Sequence, residues 1–132
     1  MQIFFDSPTS ERVYGFGLEY TYTNFKGRTV HIVTSEGGIG RGLLPLTPAL
    51  NAFGHGAGGN PLTTYAPTYS FATSLRRGIL LKNHTEIGHV DFESAQDNFG
   101  ILLWKTTELN LNVVVGNTMK EVVSGITHFV GR

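Results

Sequence analysis

The chain has 132 residues, no net formal charge, 15% charged and 40% hydrophobic residues, and no cysteine. That size and balance suit a globular domain with about one core. They exclude a disulfide framework and thiolate chemistry, and they supply no excess of Lys and Arg for nucleic acid or an anionic membrane surface. No apolar run is long enough to cross a bilayer as a helix, and the opening MQIFFDSPTSER has neither the basic start nor the apolar core of a signal peptide. Composition assigns no compartment.

Seventeen glycines, with many Tyr, Phe, Val, Ile and Thr, predict short strands joined by turns, the pattern of an all-β antiparallel sandwich. In chain order the alternation of apolar and polar residues predicts strands over Gln2–Phe5, Arg12–Tyr22, Arg28–Ser35, Tyr69–Ser74, Gly78–Lys82, Glu86–Phe92, Gly100–Lys105 and Leu109–Val115. TNFKGRT, between the second and third, is expected to be a hairpin connection with Gly27 at positive φ.

SEGGIGRG follows the third strand, as a phosphate-binding loop would, but its spacing matches neither dinucleotide nor P-loop patterns. The LLPLTPAL that comes next is expected to forbid a regular helix, because Pro45 and Pro48 remove donors. Residues 37–67 therefore read as one long Gly/Pro-rich loop, a length usually functional or disordered. Only the end looks helical: NTMKEVVSGITHFVGR has a Thr118-x-x-Glu121 capping box. Apolar Met119, Val122, Val123, Ile126, Phe129 and Val130 follow at three- and four-residue spacing. The organisation expected is a sandwich over 1–116 and a helix over 117–132.

No chemistry announces itself in the spacing. The five histidines, His31, His55, His84, His89 and His128, show no zinc-site spacing, so no metal or cofactor is expected and they read as surface or hydrogen-bonded strand residues. Asp91 and Glu93 share a strand face, a pairing more common on solvated faces than in catalysts. No serine sits in a nucleophile elbow. Phe53, Tyr65, Tyr69 and Trp104 could form a sugar-stacking surface, although aromatics at this frequency are mostly core.

Four pieces in order carry a resemblance: ERVYGFGLEYTYTNFKGRTVHIVTSEGGIGRG, AGGNPLTTYAPTYSFATS, VDF and MKEVVSGITHFVGR. Together they resemble the N-terminal galactose mutarotase-like β-sandwich of glycoside hydrolase family 31, in the branch of sulfoquinovosidases and related α-glucosidase-like proteins. The hallmark is a Y-G-x-G strand followed by K-G-(K/R) and E-x-G-(I/V)-G-R, here Tyr14–Gly17, Lys26–Arg28 and Glu36–Arg41. Leu18 displaces Glu19 one place from the usual acidic position, which turns that carboxylate to the other strand face.

The resemblance implies a non-catalytic domain set before a (β/α)8 barrel whose two aspartates would lie after Arg132, so the chain alone is expected to be inactive. It implies the barrel and a carbohydrate as partners, without nucleic acid or membrane, and leaves self-association open. Glu36, Gly38, Ile39, Gly40, Arg41 and Tyr65 are the candidates for shaping the sugar pocket or docking on the barrel. Arg41 either contacts a sugar substituent or pins the loop by an ion pair. The alternatives are a free-standing carbohydrate-binding module using Arg41, Tyr65 and Tyr69, and a mutarotase-like enzyme working through His89 with Glu86 or Glu36.

Overall fold

The computed structural model describes residues 1–18, 21–32, 42–54, 57–64, 66–82, 88–104 and 106–131. Its strands are β1 (Gln2–Asp6), β2 (Val13–Gly17), β3 (Thr29–Ile32), β4 (Pro67–Thr73), β5 (Arg77–Leu81), β6 (Gly88–Asp91), β7 (Asn98–Leu103) and β8 (Leu111–Val115). Its helices are α1 (Leu46–Phe53) and α2 (Met119–Val130). Two antiparallel four-stranded sheets form, sheet A in the order β1-β7-β6-β3 and sheet B in the order β2-β4-β5-β8. This is the expected all-β sandwich.

The core lies between the sheets and follows the period of two. Val30, Val90, Ile101 and Phe99 of sheet A meet Val13, Phe71, Ile79 and Leu81 of sheet B, all essentially fully buried. Phe71 stands edge-on to both Phe92 and Phe99, with ring centroids 5.7 and 5.6 Å away. Such contacts add to the area burial of these rings by about 0.5–1.5 kcal/mol per pair.

The YGFG of β2 is a bulge. Gly15, Phe16 and Gly17 have φ of 133°, 68° and 81°, and the register against β4 shifts between Gly15 and Gly17. A Cβ at Gly15 would lie 2.8 Å from the Phe71 Cα, so the glycine lets two strands approach while the bend turns Phe16 fully into the core. The expected single strand from Arg12 to Tyr22 accordingly ends at Gly17.

Two expectations are corrected. TNFKGRT is not a hairpin connection: β2 and β3 belong to different sheets, so the segment crosses the sandwich, although Gly27 does have φ 78°. Sequence patterning predicts the turn but cannot say which sheet receives the next strand. The segment after Gly42 holds a regular eight-residue helix, α1, despite its prolines. Pro45 is the N-cap and Pro48 sits in the first turn, where a backbone N–H has no intrahelical acceptor and its loss costs little.

Helix α2 packs against β4, β5 and β8 on the outer face of sheet B. Thr118 accepts a hydrogen bond from the Glu121 N–H, and Glu121 accepts one from the Asn117 N–H, so the capping box forms with its return bond displaced one residue upstream. Glycines permit the contact: a Cβ at Gly78 would lie 2.7 Å from Ile126, and one at Gly125 would lie 2.4 Å from Val114. Val122 is fully buried, while Val123, Phe129 and Val130 of the same apolar stripe stay at least half exposed.

Candidate functional site

The loop singled out by the sequence, with Glu36, Gly38, Ile39, Gly40 and Arg41, lies outside the described residues, as do Tyr65, Glu19 and Glu86. Glu36, the first of these loop residues, comes four residues after Ile32, the end of edge strand β3. The described surface beside that strand is therefore where the site has to be built.

An open cleft of about 400 Å3 runs along β3, lined among others by Tyr22, Arg28, Thr29, His31, Asn60 and Glu93. The Arg28 guanidinium lies 3.5 Å from the Tyr22 ring centroid, a cation–π stack that fixes its plane. Its Nε is buried with no hydrogen-bond partner among the described residues. The Thr29 hydroxyl is 3.3 Å from both Asp91 Oδ1 and Glu93 Oε2. An arginine fork, the Glu93 carboxylate and a hydroxyl thus share one concave surface of a kind that hydrogen-bonds polyhydroxylated ligands.

Asp91 and Glu93 come together as their spacing suggested, but Asp91 is committed to a turn. Its Oδ1 also accepts from the N–H groups of Glu93 (2.8 Å) and Ser94 (3.0 Å). Burial raises its pKa, yet hydrogen bonds from Ser94, Glu93 and Thr29 outweigh this and hold it below 3.8. It is an ionised structural acceptor, poorly suited to give or take a proton near neutrality.

Antiparallel pairing sets His31 directly opposite His89, with Thr29 opposite Asp91, and all four face out of sheet A. The imidazole centroids are 5.5 Å apart, and His89 meets Trp104 at 5.8 Å, edge to face. Burial, then the neighbouring His31, lowers the His89 pKa below 6.5, with Asp91 opposing. His89 is therefore neutral at pH 7. The grouping was invisible in sequence because the two histidines lie far apart in the chain and only register joins them. Of the candidate stacking residues, Tyr65 lies outside the described residues, Tyr69 is buried in the core, Phe53 is exposed at the end of α1, and Trp104 sits by His89.

Glu11 is buried and paired with Arg77, its carboxylate accepting from Nε at 3.0 Å and Nη2 at 2.8 Å. Burial raises the Glu11 pKa, but hydrogen bonds from Arg77, Ser7 and Thr73 and the Arg77 charge together hold it below 4.5. Lys26 donates to the Ser7 hydroxyl (2.6 Å) and carbonyl (2.8 Å) nearby. Arg77 also donates to the Asp6 carbonyl, so the network ties β1 to β5 and to the residues that lead into β2.

No family model and no curated protein matches the sequence. Solved structures do. A GH31 family sulfoquinovosidase from E. rectale, in complex with an aza-sugar inhibitor, superposes with a TM-score of 0.89 at 23% identity over 99% of this chain and 19% of its own. The chain has the fold of a GH31 β-sandwich domain. A Flavobacterium johnsoniae GH31 dextranase complexed with glucose gives a TM-score of 0.71 at 15% identity over 96% of this chain and 13% of its own. A cycloalternan-degrading enzyme from Trueperella pyogenes gives 0.72 at 18% identity, over 99% and 18%. The GH31-type sandwich thus spans less than a fifth of the length of each of these enzymes.

Within the GH31-type sandwich, the described hallmark residues serve the fold. Tyr14–Gly17 forms the bulge that buries Phe16, Lys26 ties its turn to Ser7, and Arg28 stacks on Tyr22.

Proposed function

We propose that the chain is the non-catalytic N-terminal β-sandwich of a family 31 α-glycosidase, placed before a (β/α)8 barrel that hydrolyses α-linked sugars by double displacement. The observation that carries this reading is the asymmetry of coverage: nearly all of this chain superposes on no more than a fifth of the sulfoquinovosidase. Two of its acids are otherwise occupied, Glu11 by a buried ion pair and Asp91 by a turn. The exposed apolar end of α2, with Phe129 and Val130, suits a helix leading from a sandwich over 1–116 toward the barrel. In this reading Glu36, Gly38, Ile39, Gly40, Arg41 and Tyr65 dock on the barrel or border its sugar pocket, and carbohydrate is the ligand of the whole enzyme.

The test is the mass of the native protein, together with hydrolysis of aryl α-glycosides. A protein much heavier than 14.4 kDa that turns over, against an inert 132-residue chain, is expected. A native protein that ends at Arg132 overturns the reading.

The cleft with Arg28, Thr29 and Glu93 favours one second reading, a free-standing carbohydrate-binding module. It predicts that the melting temperature of the isolated chain rises with sugar by mass action. The mutarotase reading gains no such support, since its partners for His89, Glu86 and Glu36, lie outside the described residues.

A further inference from the structure

We propose that His31 and His89 form a two-imidazole site for a divalent transition-metal ion of the Zn2+, Ni2+ or Cu2+ class on the outer face of sheet A. The inference is independent of the glycosidase reading. Register places the two residues directly across an antiparallel pair, where Cβ atoms lie about 4.5–5.5 Å apart on one face. With metal–nitrogen bonds of about 2.0–2.1 Å, two imidazoles on one tetrahedral ion have ring centroids about 5 Å apart. The observed separation is 5.5 Å with an interplanar angle of 63°, close to the separation that shared ligation requires.

The described residues give His31 no hydrogen bond, and His89 Nδ1 is buried without one. An unpaired buried nitrogen is costly to keep, and one that has no donor facing it is free to act as a ligand. Trp104 packs on the far side of His89 and limits its ring to few orientations, so part of the ordering cost is met before an ion arrives.

Asp91 Oδ1, on the same face, is occupied by Thr29, Glu93 and Ser94, and the described residues contain no group of three His, Cys, Asp or Glu suited to a metal. Among the described residues the site thus offers two imidazole ligands, and water completes the coordination in this proposal. Imidazole ligation favours Cu2+, Ni2+ and Zn2+ over Mg2+ and Ca2+. The bound ion would clamp edge strand β3 to β6, immediately before the glycine-rich segment.

Trp104 is the only tryptophan in the chain, so its fluorescence reports on the site directly. Titration of the 132-residue chain with Cu2+ is expected to quench Trp104 saturably at one ion per chain. Zn2+ or Ni2+ should compete, a chelator should reverse the effect, and Mg2+ and Ca2+ should do nothing. His31→Ala and His89→Gln should each weaken the affinity at least tenfold. Quenching that fails to saturate, or saturates equally well in both variants, overturns the site. Should His89→Gln fail to fold, exposed His31→Ala decides alone: circular dichroism checks its fold, and unchanged affinity overturns the proposal. Zn2+ must also shift the ring-proton NMR signals of both His31 and His89, which a merely nearby ion would not do.

Discussion

The outer face of sheet B is closed by α2, whereas the outer face of sheet A carries His31, Trp104 and Phe4 toward solvent. The glycines show how each face is finished. Gly78 and Gly125 let helix and sheet B meet at backbone distance, so side chains from α2 fill the space a Cβ would take. On sheet A the corresponding space above Gly100 is taken by the ring of Phe4, itself 62% exposed. One face is thus part of the folding unit, and the other is a surface whose residues are free of packing duty. Stability and ligand chemistry should separate along that division.

The sharpest way to break the comparison is to damage what both sheets rely on. Arg77→Ala leaves the Glu11 carboxylate buried without its partner, a change worth about 3–5 kcal/mol, read as a lower urea midpoint. A loss below 1 kcal/mol would mean that Glu11 is rehydrated or protonated.

Next in size is the helix-covered face. Gly125→Leu should cost about 1–3 kcal/mol through overpacking against Val114, more than the roughly 1 kcal/mol that replacing a helical glycine gains. A stabilised Gly125→Leu protein would show that α2 is not held tightly on sheet B.

Acid separates His89 from the carboxylates by pH window. Glu11 and Asp91 have folded-state pKa values below 4.5 and 3.8, so the folded state binds their protons more weakly. Their stabilisation is complete above those values and disappears as pH falls through the folded-state pKa values. His89, also depressed, adds a loss that begins earlier, as pH falls below 6.5. A chemical-denaturation series against pH should show both phases, with His89→Gln removing only the earlier one and Glu11→Gln flattening the later one. A single phase unaffected by His89→Gln would remove His89 from the account.

The smallest effect is expected on the open face. His31→Ala should change stability by less than about 0.5 kcal/mol, since the residue is exposed and makes no hydrogen bond among the described residues. A loss comparable to that in Gly125→Leu would erase the distinction between the two faces.

Local sequence was a good guide wherever a side chain's own neighbourhood sets the outcome. Strand periodicity located β1, β4, β5, β7 and β8 within about two residues, and Thr118 and Glu121 marked the start of α2 because capping involves only adjacent backbone. The motif order in YGFG, KGR and EGGIGRG pointed to the GH31 fold that superposition bears out. Prolines misled at α1, because donor loss matters inside a helix and hardly at all in its first turn.

What sequence alone determined, then, is the set of strands, the terminal helix and the sandwich class, all consequences of period, propensity and caps. The tertiary structure decided the rest: that β2 and β3 part into different sheets, that Phe16 turns inward through a bulge, that Glu11 meets Arg77, and that His31 faces His89. Each of these joins residues across long chain separations or through one-residue register, and such contacts are fixed only when both sheets close on a shared core.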